Sequence, residues 1–475
     1  MQCIGRGGKA GTAVAPGGRH TGATRPRTPV FFHPHERYRI IGRMSTTYQP
    51  SEIRRNYRLL LAEGILFTVG LVFFDPNTVL PLLMERLTGS AVLVGLVGAV
   101  QPLAKGITPI LAGNWISSLA YKKRFLVLMM SIGRLPLWIL ALSLIWIPDA
   151  PAFFWAGLLL IVQMLFWFGD SAGDPAWIDM VGKAVPSGRR GRFFAIRQVI
   201  GGVLSVAAGA AVAAILAAEA VAFPVNYGLV VCIGALLYLA NVGTFVGLVE
   251  RPSPTSRRLR IITLVRTLPH YLRANGTFGT TMIVLILFNM SRLSLPFYVV
   301  FAIREFGLDE GALAVFLPLQ MVGRIVGAVI WGHMGDRHGH QRAIKVAALI
   351  CAAPPLIAIG TGLAVPVVPA MVTFGLLFLV LGLSLAGWPP FMNYVLDIVP
   401  DRERPLYAGL MGIGNIPAAL APVAGGLLIQ TVSYPALFGI TALLTVAGFL
   451  VALSLPVPQG VRVASRGRTR QNTGE

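Results

Sequence analysis

Between Leu59 and Leu455 the sequence runs twelve times for about 20 apolar residues and then breaks into a short polar stretch, the length needed to cross a bilayer. In lipid no water can bond a backbone N–H or C=O, so each run must satisfy its own groups as a helix. That limits the chain to an all-α polytopic membrane protein. The composition agrees: 12% of residues are charged and 55% hydrophobic, against about 25% charged in soluble domains. The 53 glycines and 33 prolines also suit membrane helices, where both are tolerated. A soluble multidomain enzyme is excluded.

The expected spans begin with Leu59–Met84 and end with Pro435–Leu455. The connecting stretches separate into two alternating sets. One carries Lys122, Lys123 and Arg124, then Lys183, Arg189, Arg190 and Arg192, then Arg251, Arg257, Arg258 and Arg260, and finally Arg337, Arg342, Arg402 and Arg404. The other has Arg86 and Arg304 beside Glu85, Asp149, Glu219, Glu305, Asp309 and Glu310. Basic loops stay in the cytoplasm, which puts both termini inside and the chain in the plasma membrane. The same bias accounts for the formal charge of +21 without a nucleic-acid partner.

Residues 1–56 are rich in Gly, Arg, Pro and Thr, lack apolar periodicity and are expected to be disordered. Met44 offers an alternative start. The expected domains are then a six-helix half over 57–250, a cytoplasmic linker over 251–278, a second half over 279–456 and a basic tail over 457–475. The linker contains RRLRIITLVRTLPHYLR, which reads either as an amphipathic helix on anionic lipid or as a solvated basic connection. Cys3, Cys232 and Cys351 stand alone, so neither a disulfide framework nor a zinc site is indicated.

The halves look like two copies of one unit. PAWIDMVGKAVPSGRRGRFFA at Pro175 aligns with PPFMNYVLDIVPDRERPLYAG at Pro389, placing Asp179 opposite Asn393. QPLAKG aligns with QMVGRI, placing Lys105 opposite Arg324, and Gly113 aligns with Gly332. Two blocks in the same order, at the similar offsets of 214 and 219 residues, point to an internal repeat.

The stretch GHMGDRHGHQR falls in the basic turn between the eighth and ninth spans. It resembles the signature loop of the major facilitator superfamily, Gly-x-x-x-Asp-Arg-x-Gly with a following Arg. Gly332, Asp336, Arg337, Gly339 and Arg342 carry the match, with Gly335 inside it. In the first-half copy, GNWISSLAYKKR, Ser117 takes the aspartate position. The resemblance implies two six-helix halves of a secondary transporter and a cytoplasmic latch, in which Asp336 faces the start of the fifth helix near Arg192 and Phe193. Metal binding by His333, His338 and His340 is the competing reading of the same stretch.

Ionisable groups inside spans are costly and therefore candidates for function. Asp75 and Asn77 lie in FFDPNTVLP of the first span; Asp170 and Asp174 lie four apart in the fourth, on one helical face. Asn289 and Arg292 come from the seventh span, Trp388 and Asn393 from the tenth. The family resemblance implies that these four helices line a central cavity, with Lys105 and Arg324 at equivalent depth. Internal ion pairing of the aspartates with Arg292, Lys105 or Arg134 is the structural alternative. Asp179 and Arg197 read as surface salt-bridge or gating residues, and Glu63 as interfacial.

The resulting expectation is a transporter that moves a small solute by alternating access, with protons as coupling ion, without a cofactor, as a monomer in the lipid bilayer. A multidrug efflux antiporter is the nearest alternative, weakened because the fifth span, GGVLSVAAGAAVAAIL, lacks proline. An embedded enzyme or a non-transporting sensor on the same fold is the alternative of another class. HExxH and Walker motifs are absent from the sequence.

Overall fold

The computed structural model describes residues 49–116, 118–185, 190–252, 269, 271–273, 275–364, 368–400, 403, 407, 410–412 and 414–457. Twelve helices among them are long and apolar enough to span a membrane. In the first half these are α1 (Pro50–Phe73), α2 (Ala91–Gly113), α3 (Lys123–Trp146), α4 (Ala152–Ala184), α5 (Arg192–Leu216) and α6 (Val225–Gly247). In the second they are α7 (Gly276–Phe306), α8 (Glu310–His338), α9 (His340–Gly362), α10 (Ala370–Ile398), α11 (Leu410–Thr431) and α12 (Tyr434–Ala452). No strand occurs among the described residues.

Several boundaries differ from the sequence reading, each for a local reason. α1 begins at Pro50, inside the segment expected to be disordered. Proline presets the first helical position, and Gln49 N donates to Glu52 Oε2 at 2.9 Å in a capping box. Arg251 then ties Glu52 down with an ion pair of 2.8 Å. The rest of the tail, up to residue 48, and most of the basic linker, residues 253–268, lie outside the described residues, as do Ser117 and residues 458–475.

The expected single span Leu59–Met84 is two helices, because Pro76 removes a backbone donor and the chain breaks between Phe73 and a second segment, Val79–Thr88. α7 is interrupted by a 3-10 turn at Met290–Leu293 and resumes at Phe297, and α10 is broken between Leu385 and Pro389. Broken helices at membrane depth are tolerated where they line a cavity. The histidine-rich stretch is mostly helical: α8 runs on to His338, Gly339 turns the chain at φ 88°, and α9 starts at once. A side chain at that φ would be strained, which is why glycine stands there.

The halves meet where α2 packs on α11 and α5 packs on α8. Small residues permit the approach: a Cβ added to Gly95 would run into the Pro422 carbonyl, and one added to Gly426 into that of Ala91. Toward this end of the bundle the apolar core is continuous across both halves, with Val72, Val97 and Trp155 in the same cluster as Phe297, Phe316 and Phe438. Toward the end that carries the basic loops the core divides. Leu126, Met180 and Phe245 pack within the first half, and Phe278, Trp331 and Tyr394 pack separately within the second.

Candidate solute cavity

Where the core divides, a cavity of about 680 Å³ opens between the halves. From the first half it is lined by Asn77, Gln101, Lys105, Asp174 and Gln198. Arg292, Arg324, Trp388 and Asn415 face it from the second. The helix breaks explain several of these positions: Asn77 follows Pro76, Arg292 sits in the 3-10 turn of α7, and Trp388 caps the second segment of α10.

Lys105 lies over the ring of Trp167 at 5.3 Å, a cation–π contact that sets its direction without neutralising it. Arg292 and Arg324 make no ion pair and no hydrogen bond with the described residues, and the buried Nε of Arg324 has no partner. Asp75 interacts electrostatically with Arg324 but forms no ion pair with it. It is fully buried, and its Oδ1 accepts from Asn77 N at 2.8 Å and Thr78 Oγ1 at 3.1 Å. It therefore stiffens the break in the first span and stays behind the cavity wall.

A smaller chamber of about 110 Å³ lies beside the main one, inside the first half. Asp174 lines both. Asp170, one helical turn away, is committed: Arg134 Nη2 donates to its Oδ1 at 3.1 Å, and the guanidinium sits over Phe67, Tyr238 and Phe245 at 5.7, 5.6 and 5.7 Å. Glu63, expected at the interface, is buried instead. Trp177 Nε1 donates to its Oε2 at 3.0 Å, and Arg197 approaches the same oxygen at 3.9 Å while stacking over Trp177 at 5.0 Å. Asp179 is held by Lys122 at 2.8 Å and Lys183 at 2.6 Å.

Other sequence candidates fall outside the main cavity. Asn289 is buried behind it and donates to Asn415 Oδ1 at 2.8 Å, and Asn393 is exposed on the second segment of α10. In the signature stretch, Gly332, Asp336, Arg337 and Arg342 are exposed. A Cβ on Gly335 would meet the ring of His340, which bonds Asp397 Oδ2 through Nδ1 at 2.7 Å. Asp336 has no ion pair or hydrogen bond among the described residues, so the contact expected with Arg192 and Phe193 is not made in this conformation. Among the described residues no group of three His, Cys, Asp or Glu side chains could hold a metal ion.

Sequence reasoning passed over Gln101, Gln198 and Asn415, since an uncharged amide in a span stands out less than a charge. It also passed over the rim. At the end opposite the basic loops, Arg86 Nε meets Glu310 Oε1 at 2.7 Å and Arg304 Nη1 meets Glu85 Oε1 at 3.0 Å, both pairs joining one half to the other. The signal was present: these are the bases of otherwise acidic, short connections.

This arrangement, two six-helix halves around a polar cavity, is that of a membrane transporter. The family model of the Major Facilitator Superfamily matches residues 64–382 and again 280–474, and the chain belongs to that superfamily. A search of curated proteins returned no match. Solved structures with the same fold include a point mutant of the nucleoside transporter NupG, at 15% identity and TM-score 0.66, over 84% of this chain and 99% of that one. A D-xylose–proton symporter aligns at 14% identity and TM-score 0.66, over 86% and 99%. A bacterial homologue of the iron transporter ferroportin, in an inward-facing state, aligns at 15% and 0.64, over 85% and 98%. At such identity the likeness establishes the fold.

Proposed function

We propose that the chain is a proton-coupled secondary transporter that moves a small solute by alternating access, here in the state open toward the basic loops. The divided core carries this reading. One end of the bundle shares a continuous apolar core and two ion pairs across the halves, while the other has two separate cores with the cavity between them. Basic loops mark the cytoplasm, so the state is inward-open, the termini are cytoplasmic and the cell membrane is the site of action. The exposed Asp336 fits: its latch belongs to the opposite state, in which the cytoplasmic ends close.

Asp174 is the coupling group in this reading. Asp170 is spent on Arg134, whereas Asp174 makes no ion pair among the described residues and faces both chambers. A carboxyl so placed exchanges its proton with whichever side the cavity faces, which couples protonation to the rocking of the halves.

Alternation is tested with cysteines in a background lacking native ones. Trp388→Cys should react with impermeant thiol reagents from either side of the membrane in turn. The pair Ser90→Cys and Gln430→Cys, whose wild-type side chains hydrogen-bond at 3.3 Å across the outer rim, should form a disulfide that abolishes labelling from outside and preserves it from inside. If Trp388→Cys never reacts from outside in the unlocked protein, the cavity does not alternate and the reading fails.

A further inference from the structure

The transporter reading leaves the solute open, and the cavity chemistry narrows it. We propose that the cavity binds an organic anion, its carboxylate or phosphate group held by Arg292 and Arg324 with Lys105 opposite, and its apolar body against Trp388 and Met392. The proposal rests on the transporter reading for the site and adds the class of its ligand.

Three observations support it. First, three cationic side chains and one carboxylate, that of Asp174, face the cavity, so the described lining is net positive whether or not Asp174 is protonated. Second, the two arginines drawn inside the first half have partners there: Arg134 has Asp170 and Arg197 has Glu63. Arg292 and Arg324 have none among the described residues, although an unpaired guanidinium away from bulk water is costly. Asp75, the carboxylate acting on Arg324, has Oδ1 engaged by its own turn and does not reach it. Both arginines line the cavity, so a partner that completes them can come from a ligand bound there.

Third, arginine presents a planar fork of donors that matches an oxyanion in two-point contact, and both Arg292 and Arg324 line the cavity. Beyond the charged groups and the amides Asn77, Gln101, Gln198 and Asn415 the wall is apolar, with Leu295, Leu385, Trp388, Met392 and Met411. An inorganic ion would leave that surface unused. The volume, about 680 Å³, lies in the range of about 300–1,000 Å³ typical of small-molecule sites. Because the arginines belong to one half and Lys105 to the other, an anion bound between them also draws the halves together, which favours the occluded state.

The test uses purified full-length protein and ligands that share a body and differ in charge: phenylacetate, phenyl phosphate, phenylethanol and phenethylammonium, with naphthoate and octanoate as larger anions. Binding is read from tryptophan fluorescence and thermal stabilisation. At least one anion should bind about tenfold or more tightly than the alcohol and the ammonium ion, and Arg292→Gln and Arg324→Gln should each weaken it by about tenfold or more. Arg→Lys at either position should recover part of the loss. The carboxylate and phosphate arms identify the headgroup. The proposal is overturned if the neutral or cationic ligand binds as tightly as every anion, or if anion binding survives both Gln substitutions. Failure of every anion to bind also overturns it, provided Trp388→Cys still labels alternately; loss of that alternation strikes the transporter reading instead. Where a Gln variant does not fold, the wild-type ranking decides.

Discussion

The two halves share a repeated plan and treat their buried charges in opposite ways. In the first half Arg134 lies against Asp170 and three aromatic rings, and Arg197 and Trp177 converge on Glu63. In the second, Arg292 and Arg324 face the cavity without a partner among the described residues. Lys105 and Arg324 make the contrast within one aligned pair, since the former rests on Trp167 and the latter on nothing comparable. The first half commits Arg134, Asp170, Glu63 and Arg197 to structure and leaves only Lys105 and Asp174 to the cavity, whereas the second keeps both its cavity arginines available.

The sharpest way to break this contrast is to remove one cation from each half. Arg134→Ala strands Asp170 in an apolar setting and should cost about 3–5 kcal/mol of stability. Replacing Asp170 by Ala as well should return part of that loss. Arg324→Gln should leave stability unchanged or raise it, because it removes a desolvated cation that makes no ion pair or hydrogen bond among the described residues. Thermal unfolding of the purified variants in one detergent gives all three numbers, and a large loss in Arg324→Gln would mean that this arginine is structural too.

Next in size is the division of labour on α4. Asp174→Asn should abolish accumulation driven by a proton gradient while leaving solute exchange intact, and Asp170→Asn should chiefly lower stability. Vesicle assays of both modes, run side by side, separate these outcomes; gradient-driven accumulation at wild-type rates in Asp174→Asn would remove proton coupling from this residue.

A smaller effect is expected where the halves touch. Gly95→Val puts a branched side chain against the Pro422 carbonyl and should cost about 1–3 kcal/mol of the contact between α2 and α11. The outer end should open more often, seen as faster labelling of Trp388→Cys from outside. The smallest effect belongs to the rim pairs. Arg86 and Arg304 are about half exposed, 51% and 50%, so Arg86→Gln or Arg304→Gln should each shift the balance by less than about 1 kcal/mol. Labelling rates from outside should then rise by no more than about fivefold.

Much of this was legible from residue order. Apolar run length and the alternation of basic loops define twelve spans and their grouping, because lipid leaves helix as the only economical choice for each run. The aligned blocks around Lys105 and Arg324 point to one depth, and both residues do face the cavity. The breaks within the first, seventh and tenth spans were not foreseen, although Pro76, Pro296 and Pro389 stand at them. A proline can kink a helix, begin one or end one, and which of these it does depends on the neighbouring helices. Nor does spacing reveal pairing. Asp170 and Asp174 share a face, yet Arg134 on α3 reaches only the first. Asn393 aligns with Asp179 but is exposed and does not line the cavity, since periodicity orients a helix and not a segment restarted after a break.

The pairs that close the outer rim have a consequence for the protein in its surroundings. Both arginines stand half exposed at the end opposite the basic loops, where dissolved ions shorten the reach of charge from about 30 Å in 0.01 M salt to about 8 Å in 0.15 M. A dilute medium therefore strengthens the closure and a saline one loosens it. In the proposed orientation, the resting distribution between the two faces is then tied to the salinity outside the cell, and it responds before any solute has entered the cavity.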